Sequence, residues 1–240
     1  MGRTTIIFAP HPDDETLACG GTIAIKAKSG QNVWIVFMTD GRNSHLHALG
    51  ISSDPTPGEL AHVRKGEATR AAKVLGIKPE NTIFLDIEDG TLLMNNETAE
   101  ARVRQILSEL QPDEVYYPDK NDVHKDHSAT YTIVENSLKA INVAPKRYRY
   151  IVWSSGKESK ESAGHQIAVD VTSVLALKKS AISEYLSQTT LFSKQQRRPV
   201  LSNSFLTNFE RDQERFISES GATTASTCQG NTEGPMRSTT

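Results

Sequence analysis

The sequence of 240 residues has few cysteines, no excess of charge and no long apolar run. Its two cysteines, Cys19 and Cys228, are too few to form a framework of disulfide bonds. Its net charge of -2 at neutral pH is unlike the basic surface that binds nucleic acids. No apolar run is long enough to cross a membrane, and the apolar stretch near the N-terminus is too short to be the core of a signal peptide. We therefore expect a cytoplasmic protein that has no nucleic-acid partner.

What the sequence does contain is typical of a soluble globular protein, with 37% hydrophobic and 23% charged residues. A chain of this length can bury a substantial core in one α/β domain. We predict that residues 1–220 form this single domain. Residues 221–240 are rich in Thr, Ser and Gly and have almost no apolar side chains, which predicts a disordered tail.

Apolar runs alternate with helical patterns along most of the chain, as in proteins built from β-α-β units. Five of the runs are predicted as strands, at residues 4–9, 33–38, 82–85, 114–117 and 148–153. The helical patterns between them cover residues 15–28, 59–75, 97–110 and 127–139. This alternation predicts an α/β fold in which helices flank a mostly parallel sheet.

The remaining segments have weaker patterns. Residues 41–57 are rich in Gly, Ser and Pro and show no clean period, which predicts a long loop of the kind that often covers a binding site. Residues 167–169 predict a further strand, and Asp170 is predicted to cap a helix that continues to Leu186. A last helix is predicted over residues 205–217.

Two polar clusters directly follow the first and the fourth predicted strands. The first cluster runs from His11 to Glu15, and the second runs from Asn121 to His127. Sites in open parallel sheets form outside the carboxyl ends of the strands. If the first and fourth strands are neighbours, the two clusters face each other at one edge of the sheet.

The residue types in these clusters suit a zinc ion, which binds imidazole nitrogen and carboxylate oxygen. His11 and Asp14 are three positions apart on a turn that opens a helix, so their side chains can converge. One histidine of the second cluster would complete three protein ligands and leave a carboxylate and an imidazole for metal-assisted hydrolysis. Taken separately, the first cluster is equally well explained as helix capping, and the second as solvated surface. Their joint position at strand ends favours a metal site.

The same residues resemble the two signatures of the PIG-L / LmbE-like deacetylase family. The first signature is Ala9-Pro10-His11-Pro12-Asp13-Asp14-Glu15 followed by Gly20-Gly21-Thr22, and the second is Asn121-Asp122-x-His124-x-Asp126-His127. Further matches are Thr39-Asp40-Gly41, Arg64-Lys65-Gly66-Glu67-Ala68 and Leu75-Gly76-Ile77. The resemblance covers residues 4–190. It implies a Rossmann-like fold, zinc as the usual metal, and removal of the acetyl group from N-acetylglucosamine compounds.

The resemblance implies a role for eight residues, position by position. The implied ligands of one zinc ion per subunit are His11, Asp14 and His127. The implied catalytic residues are Asp13 as the general base, His124 beside the substrate carbonyl, and Asp126 as the orienting partner of His124. Two residues, Arg64 and Asp89, match positions that contact the substrate. The sequence departs from the family at Arg42, where many members have a glutamate that helps to bind the sugar.

These roles predict the hydrolysis of an amide. Asp13 is expected to take a proton from the attacking water, and zinc and a protonated His124 are expected to stabilise the oxyanion. Asp126 is expected to keep His124 cationic, and Arg64 to hold a hydroxyl or an anionic group of the substrate. The expected partner is a small amino-sugar substrate, and an α/β enzyme of this size is often a homo-oligomer.

Two other functions fit the same pattern. A metallo-phosphoesterase also holds metals at acid-rich strand ends, although such sites usually need more carboxylates and often two metals. A non-enzymatic module that binds a nucleotide or a sugar is weakly favoured by Gly20 and Gly21, but these glycines lie inside a helical pattern. The ligands also fit a native metal other than zinc, such as iron.

Overall fold

The computed structural model describes residues 2–141, 143–154 and 164–218. These residues form a seven-stranded sheet with helices on both faces. The strands are β1 (Thr4–Ala9), β2 (Asn32–Thr39), β3 (Thr82–Ile87), β4 (Glu114–Pro118), β5 (Lys146–Tyr150), β6 (His165–Asp170) and β7 (Gln213–Ser218). The helices are α1 (Asp14–Lys28), α2 (Ser44–Leu49), α3 (Pro57–Val74), α4 (Asn96–Leu110), α5 (Lys125–Ala140), α6 (Leu175–Ser183), α7 (Leu186–Thr189) and α8 (Asn203–Leu206). Within the described residues, no helix has the length and apolar content needed to cross a bilayer.

The strand order β3-β2-β1-β4-β5-β7-β6 divides the sheet into a parallel part and an antiparallel part. The strands from β3 to β5 in this order are all parallel to their neighbours. β7 pairs antiparallel with both β5 and β6. Because β1 lies between β2 and β4, the carboxyl ends of β1 and β4 meet at one edge of the sheet. The prediction of a mostly parallel α/β sheet is confirmed, and the first and fourth strands are neighbours.

The central strands are buried on both faces of the sheet, because successive side chains point to opposite sides. Ile7 of β1 and Ile35 of β2 belong to the core shared with α1, α3 and α6. Ile6 and Phe8 belong to the second core, shared with α4 and α5. Packing on both faces fixes where the central strands end. The two polar clusters begin at the ends of β1 and β4.

Residues 205–217, predicted as one helix, instead contain the end of α8 and all of β7 except its last residue, Ser218. Phe205 and Phe209 are four positions apart, a spacing typical of a helix, and their rings pack together with centroids 5.1 Å apart. Phe216 is a buried residue of β7, which lies between β5 and β6. Pairing with distant strands therefore overrides the local period.

Two other segments differ from their predictions. The loop predicted over residues 41–57 contains the short helix α2. The helix predicted from Asp170 to Leu186 is divided into α6 and α7. The carboxylate of Asp170 accepts hydrogen bonds from the backbone N–H (2.9 Å) and the hydroxyl (2.6 Å) of Thr172, so it fixes the turn before α6. The strand predicted at residues 167–169 is confirmed as part of β6, and the predicted tail, residues 221–240, lies outside the described residues.

A buried ion pair fastens the antiparallel part of the sheet to α1. The Glu214 carboxylate of β7 accepts the backbone N–H groups of Gly21 (2.7 Å) and Thr22 (2.8 Å). The same carboxylate accepts a hydrogen bond from the Thr22 hydroxyl and one from Lys178 Nζ, both at 2.7 Å. A Cβ atom at Gly21 would lie 2.4 Å from Val171 Cγ1, so glycine is required for this close approach. The glycine motif of the first signature therefore serves packing.

Candidate active site

The turn after β1 places the first polar cluster at the edge of the sheet. Asp13 has φ 136° and ψ -31°, a conformation that residues with a side chain rarely adopt. The turn closes when the backbone N–H of His11 donates to Asp14 Oδ2 at 2.9 Å, and His11 Nδ1 lies 3.2 Å from the same oxygen. Such a strained residue persists only where its surroundings fix it, and strain of this kind is concentrated at functional sites.

The second polar cluster follows β4 and opens α5. His124 is the N-cap of this helix, and its Nδ1 accepts the backbone N–H of Asp126 at 3.3 Å. His127 lies in the first turn and is fully buried, and its Nε2 is 3.1 Å from Asp14 Oδ2. The ring of His11 is centred 4.7 Å from that of His124 and 5.4 Å from that of His127. The two clusters therefore meet.

Three donor atoms in the combined cluster fit a divalent metal ion. His11 Nδ1 and His127 Nε2 lie on either side of Asp14 Oδ2, at 3.2 Å and 3.1 Å. Both nitrogens of His127 are buried, and neither makes a hydrogen bond of good angle. Two imidazoles and one carboxylate are ligands that zinc accepts in catalytic sites. The structure thus contains a His/Asp group that is able to bind a metal ion.

The outer nitrogen of each of these histidines faces a carboxylate. His11 Nε2 lies 3.2 Å from Asp89 Oδ1 and 3.2 Å from Asp126 Oδ2. His127 Nδ1 lies 3.0 Å from Asp122 Oδ2. Metal-bound histidines commonly donate their second N–H to such a partner, which fixes the ring and its tautomer. This second layer of carboxylates turns the inner nitrogens of both rings toward Asp14.

Two further trios of possible ligands lie close together. They are His11, His124 and His127, and the set His11, Asp89 and Asp126. In the second trio, the Asp126 carboxylate already accepts the backbone N–H of Gly90 at 2.7 Å, and the Asp89 carboxylate accepts that of Asn43 at 3.1 Å. These carboxylates are therefore better explained as partners of His11 than as ligands of a second ion.

The position of Asp126 differs from the sequence-based expectation. Its carboxylate was expected to orient His124, but it lies against His11 and the N–H groups of Gly90 and Leu92. The backbone N–H of Asp126, not its side chain, contacts His124. The difference arises because Asp126 is in the first turn of α5, where its N–H points toward the N-cap residue.

Neighbouring charges shift the pKa values of the possible ligands. Burial disfavours the charged form of Asp14, but the positive charge of His127 and the hydrogen bond with His11 lower the pKa of its carboxyl group far below the usual range. Burial likewise disfavours a charged His127, yet the Asp14 and Asp122 carboxylates raise its pKa to about 9. A metal ion that bound to His127 would therefore have to displace this proton.

Asp13 is held by Arg64, which is 2% exposed. Arg64 Nη2 donates to Asp13 Oδ2 at 2.8 Å and also donates to the carbonyl oxygen of Pro12. Arg64 Nη1 donates to the carbonyl oxygen of Gly41 at 2.9 Å. Burial raises the pKa of Asp13 to about 8, and the Arg64 charge acts against this rise. Arg64, expected to contact the substrate, therefore also fixes Asp13 and joins the loops after β1 and β2.

A cavity of about 250 Å³ opens onto the cluster. The predicted site residues that line it are His11, Asp13, Asp14, Arg64, Asp89 and His124. The apolar residues that line it are Ala48, Trp153, Val200 and Leu201, which we call the apolar wall. Trp153, predicted as part of a core strand, follows β5 and faces this cavity instead. Of the predicted site residues, Asp126 and His127 lie behind the lining.

Asp122 is a residue of the site that the sequence did not assign. Its carboxylate accepts the backbone N–H groups of Val152 (2.8 Å) and Trp153 (3.0 Å), in addition to facing His127. It therefore joins a possible metal ligand to the apolar wall. The signal that could have found it is the need of a metal-bound histidine for a carboxylate partner, since Asp122 lies in the same cluster.

Comparisons with known proteins agree with this geometry. The family GlcNAc-PI de-N-acetylase, PIG-L, matches residues 6–138. A probable N-acetyl-alpha-D-glucosaminyl L-malate deacetylase 2 from Bacillus cereus is 28% identical over 195 residues, which are 79% of this chain and 85% of that protein. The fold is also that of an N,N'-diacetylchitobiose deacetylase from Pyrococcus horikoshii, with a TM-score of 0.67, 24% identity, and 90% of this chain and 83% of that chain covered.

The same fold occurs in a protein with a different reaction. A 4-carboxy-2-hydroxymuconate hydratase from Pseudomonas putida KT2440 has a TM-score of 0.65 and 20% identity, with 86% of this chain and 83% of that chain covered. Fold similarity at this level does not decide the chemistry, which depends on the residues of the site. The family match carries more weight, since it extends over more than half of the chain and contains both polar clusters. The chain belongs to the GlcNAc-PI de-N-acetylase family, PIG-L.

Proposed function

We propose that this protein is a zinc-dependent deacetylase that removes the N-acetyl group from an N-acetylglucosamine-type sugar or conjugate and releases acetate. The observation that carries the proposal is the position of Asp13 and His124, which line the same cavity as His11 and Asp14. A site that only bound a metal or a sugar would not need this additional carboxylate and imidazole. The relative from Bacillus cereus, which is named as a probable deacetylase of an N-acetylglucosaminyl compound, supports the substrate class.

The metal ligands in this proposal are His11, Asp14 and His127. A bound zinc ion supplies a Lewis acid and lowers the pKa of water toward about 7, so that a hydroxide nucleophile is available at neutral pH. The converging donor atoms and the unpaired nitrogens of His127 support the assignment. Asp122 lies beside the outer nitrogen of His127, and Asp126 and Asp89 lie beside that of His11, so both rings are kept turned inward.

Asp13 is the general base in the proposal. Arg64 binds Oδ2, so the orientation of the carboxylate is fixed before the substrate arrives, and Oδ1 receives the proton from the attacking water. Burial holds the pKa of Asp13 at about 8, which is close to neutrality. A group with a pKa in this range is able both to take a proton and to return it. The same carboxyl group therefore delivers the proton to the departing amine.

His124 donates a hydrogen bond to the carbonyl oxygen of the substrate. Because its Nδ1 accepts the Asp126 N–H, the ring carries its hydrogen on Nε2. A protonated ring would place an N–H against that backbone N–H, so the geometry favours the neutral form. Burial and the charges of neighbouring histidines also lower the pKa of His124, to about 4. This neutral donor replaces the expectation of a protonated His124.

The rival functions have weaker support at this site. A phosphoesterase with two metals would need ligands from Asp89 and Asp126, whose carboxylates already accept backbone N–H groups. A nucleotide-binding module would use a glycine-rich loop after β1, but Gly21 lies within α1 and packs against Val171. Neither function explains why Asp13 and His124 stand beside the metal ligands.

The test is a measurement of acetate release from N-acetylglucosamine derivatives, with added zinc and after chelation. We expect zinc-dependent acetate release and no phosphate release from phosphate esters. The variant Asp13→Asn should keep its zinc and lose a factor of about 10²–10⁴ in kcat, the usual contribution of a general base. Asp86→Asn, a matched change at an exposed residue, should keep full activity. Full activity of Asp13→Asn would exclude the assigned base, and absence of acetate release from all amino sugars would reject the function.

A further inference from the structure

We infer that the amino sugar bound by this protein carries a small, uncharged apolar group, and that this group packs against the apolar wall. The inference rests on the proposed deacetylase function, because the sugar brings the group into the cavity. It concerns a part of the cavity that the chemistry at His11 and Asp14 does not use. The wall residues come from three separate segments of the chain, at positions 48, 153 and 200–201.

Trp153 is fixed in the wall by contacts on several sides. Its ring stacks on Phe205, with centroids 4.5 Å apart and an interplanar angle of 23°. Its backbone N–H donates to Asp122 at 3.0 Å, and its carbonyl oxygen accepts the N–H of Val123 at 3.1 Å. An aromatic surface held in this way loses little entropy when a ligand packs against it. The wall is therefore already formed before binding.

The rest of the wall is continuous with the hydrophobic core. Leu201 is 3% exposed, and its N–H donates to the carbonyl oxygen of Gln188 at 2.8 Å. Val200 is partly buried and packs against the same core as Leu201 and Phe205. A core surface that faces a cavity is hydrated poorly, so contact with an apolar group is favourable there and contact with a charged group is not.

The charges of the cavity also disfavour an anionic substituent. Among the described residues that line it, the only Lys or Arg side chain is Arg64, whose Nη1 and Nη2 groups already bind Asp13, Pro12 and Gly41. Asp13, Asp14 and Asp89 add carboxylates to the same lining. A dicarboxylate such as malate, which the name of the Bacillus cereus relative contains, would meet these like charges beside the apolar wall. The two proteins are therefore expected to differ in the substituent that they accept.

The size of the cavity limits the substituent. Its volume of about 250 Å³ is below the range of roughly 300–1,000 Å³ that is common for ligand clefts. One sugar ring fills much of this space. The part of the substituent that contacts the apolar wall is therefore expected to be small, such as a short alkyl or a single aryl group.

The first experiment compares three substrates that share the α-linked N-acetylglucosamine unit: the phenyl glycoside, the L-malate glycoside and the free sugar. We expect kcat/KM of the zinc-loaded enzyme for the phenyl glycoside to exceed that for the malate glycoside by about tenfold or more, the usual range for apolar discrimination in a pocket. Equal or better use of the malate glycoside would overturn the inference.

Substitutions then test whether the apolar wall causes the preference for the phenyl glycoside. Val200→Lys should lower kcat/KM for the phenyl glycoside about tenfold and raise it for the malate glycoside, because it places a cation in the wall. The control Leu191→Lys adds the same charge at a side chain that is 62% exposed and outside the cavity lining, and should leave the preference unchanged.

Arg198 lies next to the apolar wall, because it donates to the carbonyl oxygen of Ala48 at 2.8 Å. A selective loss of malate glycoside use in Arg198→Ala would reveal an anion site and overturn the inference.

A binding measurement separates this inference from the proposed function. The deacetylated phenyl and malate glycosides are titrated while tryptophan fluorescence is recorded. We expect the phenyl compound to bind more tightly and to change the emission, and Trp153→Phe to abolish the change while Trp34 remains. If no acetate is released from any sugar but this signal is present, the deacetylase function is wrong and the apolar wall stands. If acetate is released without preference for the phenyl glycoside, the function stands and the inference is wrong.

Discussion

Two buried clusters of charge are built around the same helix, α1, and they differ in how completely their groups are paired. In the structural cluster, Glu214 accepts four hydrogen bonds, from Lys178 and from Gly21 and Thr22 of α1. In the site cluster, at the start of α1, Asp14 Oδ2 is shared between two imidazoles, and the nitrogens of His127 lack hydrogen bonds of good angle. Both clusters are almost fully excluded from solvent.

This difference in pairing distinguishes buried charged groups that stabilise the fold from buried charged groups that belong to the site. A buried polar group that has all of its partners rigidifies the protein around it. A group left without partners costs stability, and such groups are retained where a ligand or a reaction needs them. Burial alone would not have distinguished Glu214 from His127, whereas the pairing does.

The largest effect is expected when the site cluster loses a ligand. His127→Ala should reduce the zinc content to near zero and lower kcat by about 10³-fold or more, because the metal contributes several kcal/mol to the stabilisation of the transition state. The control His62→Ala changes an exposed histidine of α3 and should leave the zinc content at one ion per chain. Unchanged metal stoichiometry in His127→Ala, measured by atomic emission, would show that the third ligand is another residue.

The structural cluster should respond in stability and not in metal binding. Lys178→Met leaves the Glu214 carboxylate buried without its counter-charge, so the free energy of unfolding should fall by about 3–5 kcal/mol in urea titrations. Lys179→Met is the matched control, because the adjacent Lys179 pairs with Glu210 on the surface and should contribute less than about 1 kcal/mol. In both variants, each folded chain should still bind one zinc ion. If Lys178→Met lowered the free energy of unfolding by no more than Lys179→Met does, the comparison between the structural cluster and the site cluster would lose its basis.

A smaller effect is expected from the second layer of the site. Asp122→Asn weakens the partner of His127 Nδ1 and should lower zinc affinity by about 10–100-fold, the usual result of losing such a carboxylate. Asp113→Asn makes the same chemical change at a residue that only accepts the N–H of Thr4, and should leave the affinity unchanged. Competition with a chromophoric chelator measures both. Equal affinities would mean that Asp122 serves only the backbone of Val152 and Trp153.

The smallest effect is the pH dependence of metal binding. The pKa of His127 is raised to about 9, so the metal-free protein carries a proton there at neutral pH, and zinc must displace it. Affinity should therefore rise with pH through the neutral range and become independent of this group above about pH 9. Calorimetry in buffers of different ionisation enthalpy should show that zinc binding releases a proton at pH 7. This release should disappear above about pH 9.

Much of the fold was predictable from the sequence because its signals are local. The alternation of apolar runs and helical patterns predicted the mostly parallel sheet, and the rule that sites form at strand ends placed both polar clusters. The exception was β7, which follows the helical spacing of Phe205 and Phe209 in the chain and is paired with β5 and β6.

The predictable part of the site was the set of ligands, and the unpredictable part was the set of their partners. The pairing of His11 with Asp126 spans 115 positions, and that of Arg64 with Asp13 spans 51, so neither leaves a local pattern. Asp126 shows most clearly what the sequence cannot predict. It was correctly predicted to lie in the site, but its carboxylate contacts His11 and its backbone N–H contacts His124. The individual roles in catalysis remain predictions.

The position of β7 between β5 and β6 sets the order in which the molecule is completed during translation. Glu214 and its N–H partners in α1 are 193 and 192 positions apart. A nascent chain that has already made α1 and α6 therefore holds Lys178 without its counter-charge until β7 leaves the ribosome. Contacts between such distant segments form slowly, because the ends of a long loop must meet. The contact that secures the helix carrying Asp14 therefore waits for a segment 192 positions further along the chain.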